Sequence, residues 1–171
     1  MKRFVDVSYH GSHYDISHEE YLKKSYPNVL YSYYLKEKYK MIFIFHSSNK
    51  GKIKKKDITF YFRKKKVNSK FLLPFRLFFL IKKKNPDIIL SHSIRYIHFT
   101  ALLRLFLPKK VVILIQHHGE SPPFSTGKRA LIRYCDKFID GYFTKLSGAN
   151  KNIIFIHFPL VFFCNNKHIQ L

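Results

Sequence analysis

The feature of this chain that most constrains its fold is a series of short apolar runs separated by helical or polar segments. Their lengths suit β-strands. Several runs are continuous rather than alternating, which is typical of parallel strands that are covered on both faces. The runs are residues 4–8, 41–46, 58–63, 87–91, 111–116, 138–143 and 153–156.

Amphipathic segments lie between these runs and predict helices. One apolar stripe at helical spacing is Phe99, Leu102, Leu103 and Phe106, and it ends before Pro108. A second stripe is Leu131, Tyr134, Cys135 and Phe138. Strands that alternate with helices predict an α/β, Rossmann-like fold with a mostly parallel sheet and helices on both faces. We expect one domain over residues 1–160 and a polar tail over 161–171.

Several segments interrupt the alternation. Residues 41–63 contain two strand patterns around a Lys/Gly/Asn-rich stretch, which predicts a local hairpin or an edge addition. The charge runs 50–56 and 63–66 predict solvated loops. Residues 71–81 predict a buried helix beginning at Pro74; the alternative is a membrane-surface helix whose following lysines meet anionic lipid.

The composition is strongly basic. A formal net charge of +22 attracts polyanions, although an AT-rich coding sequence also produces such a lysine excess. The cysteines, Cys135 and Cys164, form no CxxC pair, and no signal peptide is recognisable at Met1, so we expect a cytoplasmic protein. The chain has no GxGxxG motif and no metal-ligand spacing, and we therefore predict neither a cofactor nor a metal site.

Histidines and glycines gather where the predicted strands end. Ligands of open parallel sheets bind outside the carboxyl ends of the strands. Because an imidazole near its ordinary pKa can act as a base, we predict a catalytic role for His118. The predicted substrate-binding residues around it are Gly11, His13, His92, His117, Gly119 and Glu120.

Three segments resemble family 4 glycosyltransferases in order and spacing. They are NPDIILSH at 85–92, VVILIQHHG at 111–119 and RYCDKFID at 133–140. The resemblance implies the N-terminal, acceptor-side half of a GT-B enzyme that transfers a hexose from a nucleotide-sugar to a glycan or lipid-linked acceptor, as in polysaccharide biosynthesis. It also implies that His118 contacts the reacting sugar across an interdomain cleft.

The resemblance covers no donor-binding half. Taken alone, such a chain would be an inactive, truncated enzyme, and it would need a second domain or a separate donor-binding chain to hold the nucleotide-sugar. Its lysines would place it peripherally on the inner face of the cell membrane, against anionic lipid. This hypothesis expects no nucleic acid. The alternative is a basic, non-enzymatic nucleic-acid-binding module that uses residues 50–66 with their interleaved aromatic side chains.

Overall fold

The computed structural model describes residues 1–11, 16–25, 31–64, 74–117, 125–145 and 153–156. The chain divides into two compact units, Met1–Ile89 and Leu90–Leu171, and the division falls within one strand. In chain order the elements are β1 (Lys2–Gly11), α1 (His18–Lys24), α2 (Tyr31–Leu35), β2 (Tyr39–Ser47), β3 (Gly51–Lys55), β4 (Ile58–Lys64), α3 (Phe75–Lys83), β5 (Ile88–His92), a 3-10 turn (Ile94–Tyr96), α4 (Ile97–Arg104), β6 (Val112–His117), α5 (Thr126–Asp136), β7 (Gly141–Lys145) and β8 (Ile153–Ile156).

The first unit has the strand order β3-β4-β2-β1. β2 pairs in parallel with β1 on one side and with β4 on the other, whereas β3 runs antiparallel to β4. The five consecutive residues Met41 to Phe45 of β2 are all buried. Since successive strand residues point to opposite faces, both faces of this sheet are covered, as the continuous apolar run predicted.

Helices cover both faces of the first unit's sheet. Tyr21 of α1 contacts Phe62 edge-on, with ring centroids 5.7 Å apart. The Lys84 ammonium group, at the end of α3, lies 3.9 Å from the ring centroid of Tyr61. Tyr61 and Phe62 are neighbours in β4 and therefore point to opposite faces. Helices α1 and α3 thus pack on opposite sides, which confirms the predicted layering in this unit.

Of the two predictions for residues 41–63, the hairpin was wrong in its pairing, whereas the edge addition agrees with the position of β3 and β4 at the edge of the sheet. β2 and β4 do not form a hairpin: they run parallel, and the hairpin is β3–β4. Strand β3 covers Gly51–Lys55, inside the charge run for which we expected a loop. Its lysines are exposed, and Ile53 lies opposite Phe60 of β4. A short, lysine-rich strand suits the edge of a sheet because its charges oppose pairing with another chain.

Helix α3 begins directly after Pro74, as predicted, and buries Leu77, Phe78 and Ile81. Phe75 and Phe79 remain exposed on its other side. None of the helices in the described part of the chain combines the length and the apolarity needed to cross a bilayer.

The second unit has the strand order β5-β6-β7-β8, in which β6 and β7 are parallel and β7 and β8 antiparallel. Helices α4 and α5 meet over a core cluster formed by Ile94, Ile97, Ala101, Ile115, Ile132 and Cys135. Strand β7 begins at Gly141, not at Phe138, because Phe138 follows α5 and packs against that cluster.

In each unit, one aspartate links the beginnings of two strands through the same pair of hydrogen bonds. In the first unit, the amide of Arg3 donates to the Asp87 carboxylate (2.8 Å), and the amide of Asp87 donates to the Arg3 carbonyl (2.9 Å). In the second unit, the amide of Ile113 donates to the Asp140 carboxylate (2.6 Å), and the amide of Asp140 donates to the Ile113 carbonyl (2.9 Å).

The predicted fold class, α/β and Rossmann-like with a mostly parallel sheet, is confirmed.

Candidate anion-binding site

The carboxyl ends of three neighbouring strands in the first unit bring Gly11, His46 and Arg63 into one row. The Cα of Gly11 is the register partner of His46, and that of His46 is the partner of Arg63. Strands in a sheet lie about 4.8 Å apart, so the three residues are immediate neighbours at the edge where open parallel sheets bind ligands.

This row lies on the face of the sheet that α3 covers. Arg63 is two residues beyond Tyr61, whose ring contacts Lys84 at the end of α3, and alternate strand residues share a face. Arg76, in the first turn of α3, lies close enough to Arg63 to act on it electrostatically. The helix therefore brings a second guanidinium group to the carboxyl end of β4.

Arg63 is in an unfavourable environment for a cation. Partial burial lowers the pKa of its guanidinium group, and repulsion from Arg76 lowers it further. Among the residues that the structure describes, no carboxylate forms an ion pair with either arginine. Two like charges held together at a partly desolvated position favour an anion that neutralises both.

A buried hydroxyl group lies at the same strand ends. Ser48 follows the last residue of β2, and its Oγ atom is inaccessible to solvent and makes no hydrogen bond within the described residues. Buried polar atoms are nearly always hydrogen-bonded, so an atom without a partner requires an explanation. A ligand oxygen or a water at this edge would supply the missing bond.

The predicted site residues that the structure describes all stand where strands end. Gly11 ends β1 in the first unit, while His92 ends β5 and His117 ends β6 in the second. The His92 side chain is buried. His13, His118, Gly119 and Glu120 lie outside the described residues. The catalytic role of His118 and the substrate-binding roles of the others remain predictions.

The end of β5 has a constrained backbone. Ser93 has a φ of 72°, its amide donates to the Gln116 carbonyl (3.0 Å), and its Oγ accepts a hydrogen bond from the Arg95 amide (3.2 Å). The hydroxyl group of Ser91, within β5, lies 2.8 Å from the Thr100 hydroxyl on α4. These bonds fix the start of the 3-10 turn and of α4.

In the described part of the chain, no group of three or more His, Cys, Asp or Glu side chains is arranged to hold a metal ion.

Sequence reasoning missed the residues of the candidate anion site. Arg63 was assigned to a solvated charge run, Arg76 was read as an interruption of an apolar helix, and His46 as the last residue of a strand. One signal could have identified two of them. His46 and Arg63 are the polar residues that end two otherwise apolar strand patterns.

Comparisons with known proteins give a structural likeness but no sequence family. No family model matches the chain, and no curated protein matches it. A solved structure that is similar to it is the DNA/pantothenate metabolism flavoprotein from Streptococcus pneumoniae. The two chains are 8% identical and superpose with a TM-score of 0.46, over 92% of this chain and 88% of that chain.

The resemblance to family 4 glycosyltransferases is therefore wrong. No family model, that of the glycosyltransferases included, matches the chain, and the similar solved structure described above is a flavoprotein. The predicted acceptor-side function and the connection to polysaccharide biosynthesis and membranes are withdrawn with it, and the alternative of a nucleic-acid-binding module gains no support. The three sequence segments coincide with β5, β6 and the end of α5 before β7. Such strand and turn patterns recur in many α/β folds, so they indicate the fold without the activity.

Proposed function

We propose that the first unit binds a small molecule carrying a phosphate group, held at the carboxyl ends of β1, β2 and β4 by Arg63, Arg76 and His46. The observation that carries this proposal is the electrostatic repulsion between Arg63 and Arg76 at a partly buried position, where no carboxylate of the described residues forms an ion pair with either arginine.

The chemistry of these side chains suits a phosphate. Guanidinium groups present planar pairs of N–H donors that match two phosphate oxygens, and charge-assisted bonds of this kind are the stronger ones in proteins. A bound dianion would also cancel the repulsion between Arg63 and Arg76. His46, in register with Arg63, would add an imidazole, and Ser48 would add a hydroxyl group.

Gly11 supports the proposal from the other side of the row. It ends β1 in register with His46, and a glycine has no side chain to keep a ligand from the backbone. Glycine is common wherever a main chain comes close to an anionic group. The position of the site, at the carboxyl ends of parallel strands, is the usual one in α/β folds.

The test is calorimetric titration of the full chain with inorganic phosphate and with pyrophosphate. We expect Arg63→Gln to weaken binding by about tenfold or more, because a hydrogen bond to a charged group contributes roughly 1.5–3 kcal/mol. Lys64→Gln is the matched control. It removes the same charge from the adjacent residue of β4, which points to the opposite face of the sheet.

A second readout separates binding from folding. Without ligand, Arg63→Gln should unfold at the same or a higher urea concentration than the wild type, since the substitution removes a repulsive pair. Phosphate should raise the unfolding midpoint of the wild type but not that of the variant. If Arg63→Gln and Lys64→Gln weakened binding equally, the attraction would belong to the net charge of +22 and the proposal would be wrong.

A further inference from the structure

Tyr61 of β4 lies between two ammonium groups in the first unit. The ammonium group of Lys84, the residue that follows α3, lies 3.9 Å from the centroid of the Tyr61 ring. The ammonium group of Lys52, in β3, lies 5.7 Å from the same centroid, and Lys52 is the register partner of Tyr61. A strand and a helix thus each bring one cation to a single aromatic side chain.

This group of three residues, the Tyr61 cluster, is accessible to solvent. Lys52 is exposed, and Tyr61 and Lys84 are half-buried. The main chain at Lys84 is held by a hydrogen bond from the Arg3 guanidinium group to its carbonyl oxygen (3.2 Å), and its ammonium group lies over the Tyr61 ring. A side chain that is already held in place loses less conformational freedom when it binds a ligand.

The positive charge of the Tyr61 cluster is not neutralised by an ion pair. Among the residues that the structure describes, no carboxylate forms an ion pair with Lys52 or Lys84. A hydrogen bond from Lys84 lowers the pKa of the Tyr61 phenol, and the charges of Lys84 and Lys52 lower it further. Cations gathered around one hydroxyl group favour a bound anion, because the anion reduces their mutual repulsion.

The Tyr61 cluster lies next to the anion site at the carboxyl end of β4. Tyr61 and Arg63 are separated by one residue of the strand and point to the same face, so their Cα atoms are roughly 6.7 Å apart. Helix α3 contributes Arg76 from its first turn, and Lys84 follows its last residue. One face of the first unit therefore carries two adjacent positions that attract an anion.

We propose that the ligand of the first unit is a small molecule with two phosphate groups. Arg63 and Arg76 hold one phosphate, and Lys52, Lys84 and the Tyr61 hydroxyl group hold the other. This inference rests on the phosphate site proposed above and adds the class of ligand. A phosphate suits the second position because its two negative charges match two ammonium groups, to which it binds without a strict geometry.

The test is calorimetric titration of the full chain with propyl phosphate and with propane-1,3-diol bisphosphate, which differ by one phosphate group. We expect the bisphosphate to bind about tenfold more tightly. Lys84→Gln should weaken the bisphosphate about two- to fivefold and leave propyl phosphate unchanged, as expected for one partly exposed charge pair. Lys83→Gln is the matched control, since it removes the same charge from the neighbouring, exposed residue of α3.

Tyr61→Phe tests the hydroxyl group while the ring under Lys84 is retained. It should also weaken the bisphosphate alone, by about two- to fivefold, and urea unfolding midpoints of all variants confirm that the fold is intact.

The outcomes separate the two proposals. If the bisphosphate bound no more tightly than propyl phosphate while Arg63→Gln weakened both, the first phosphate site would stand and the second would be wrong. Equal losses in Lys84→Gln and Lys83→Gln would assign the gain to the net charge of +22 and would also overturn the inference. If Arg63→Gln changed the affinity for neither compound, the proposed function itself would fail.

Discussion

His18 occupies the space that a side chain at Gly51 would need. A Cβ built on Gly51 would overlap Cε1 of the His18 imidazole. The same ring stacks on Phe62, with centroids 4.1 Å apart, and its Nε2 lies 3.2 Å from the Asn49 carbonyl oxygen. Because Gly51 has no side chain, His18 at the start of α1 can pack on the β3–β4 hairpin.

Gly51→Ala is therefore expected to destabilise the protein by about 1–2 kcal/mol, since the imidazole must leave its stack and its hydrogen bond. The measurement is urea unfolding. In a His18→Ala background the same substitution should cost almost nothing, because the added methyl group then meets no ring. Equal costs in the two backgrounds would show that the packing of His18 on Gly51 is unimportant.

Tyr31→Phe is expected to destabilise the first unit by roughly 1–3 kcal/mol. The Tyr31 hydroxyl donates to the fully buried carboxylate of Asp6, and burial, followed by the charge of Asp6, raises the pKa of Tyr31 well above its ordinary value. The control is Tyr34→Phe in the same helix, where the side chain is 77% exposed and the hydroxyl group is dispensable. Unfolding midpoints in urea provide the comparison, and similar midpoints for the two variants would contradict the role of the Asp6 bond.

His98 should make the stability of the protein depend on pH. Its pKa is lowered in the folded state by burial and then by Lys128, so the unfolded chain takes up a proton first as the pH falls. Stability is therefore complete above the unfolded pKa of about 6.5 and decreases below it. His98→Asn should remove this part of the decrease between about pH 7.5 and 5.5, measured as urea midpoints. Parallel curves for the wild type and the variant would refute the assignment.

Lys56→Gly is expected to stabilise the β3–β4 hairpin by about 0.5–1 kcal/mol. Lys56 has a φ of 53°, in the left-handed region that glycine adopts without strain. The neighbouring Lys55 ends the strand in the extended conformation, and Lys55→Gly should destabilise instead. Thermal unfolding of the two variants tests the sign of each effect, and destabilisation by Lys56→Gly would contradict the expectation.

Periodicity predicted the strands well where both faces are buried. Residues 41–46 and 111–116 form continuous apolar runs, and they correspond closely to β2 and β6. Strand β3 was not predicted, because its sequence consists mainly of lysines with few apolar residues. The sequence of such a solvated edge strand resembles that of a loop. The parallel pairing of β2 with β4 could not be predicted from the local sequence pattern. Two strands close together in sequence usually pair as an antiparallel hairpin, and here tertiary contacts decide the pairing instead.

The helical stripes illustrate a different limit. Leu131, Tyr134, Cys135 and Phe138 have ideal helical spacing, yet only Cys135 of the first three is buried, together with Ile132. Spacing identifies an apolar side of a helix but not what covers it. For the anion site, the sequence supplied the residue types, and only the strand register brought His46 beside Arg63.

The carboxylates at the strand beginnings have a consequence for how a ligand reaches the first unit. Asp57 and Asp87 each stand directly before a strand, β4 and β5, while Arg63 lies at the far end of β4. Neither carboxylate lies at the arginine end of β4, so neither offsets the charge of Arg63 there, and a diffusing anion is steered toward that end. Its encounter rate should decline as added salt shortens the reach of that field.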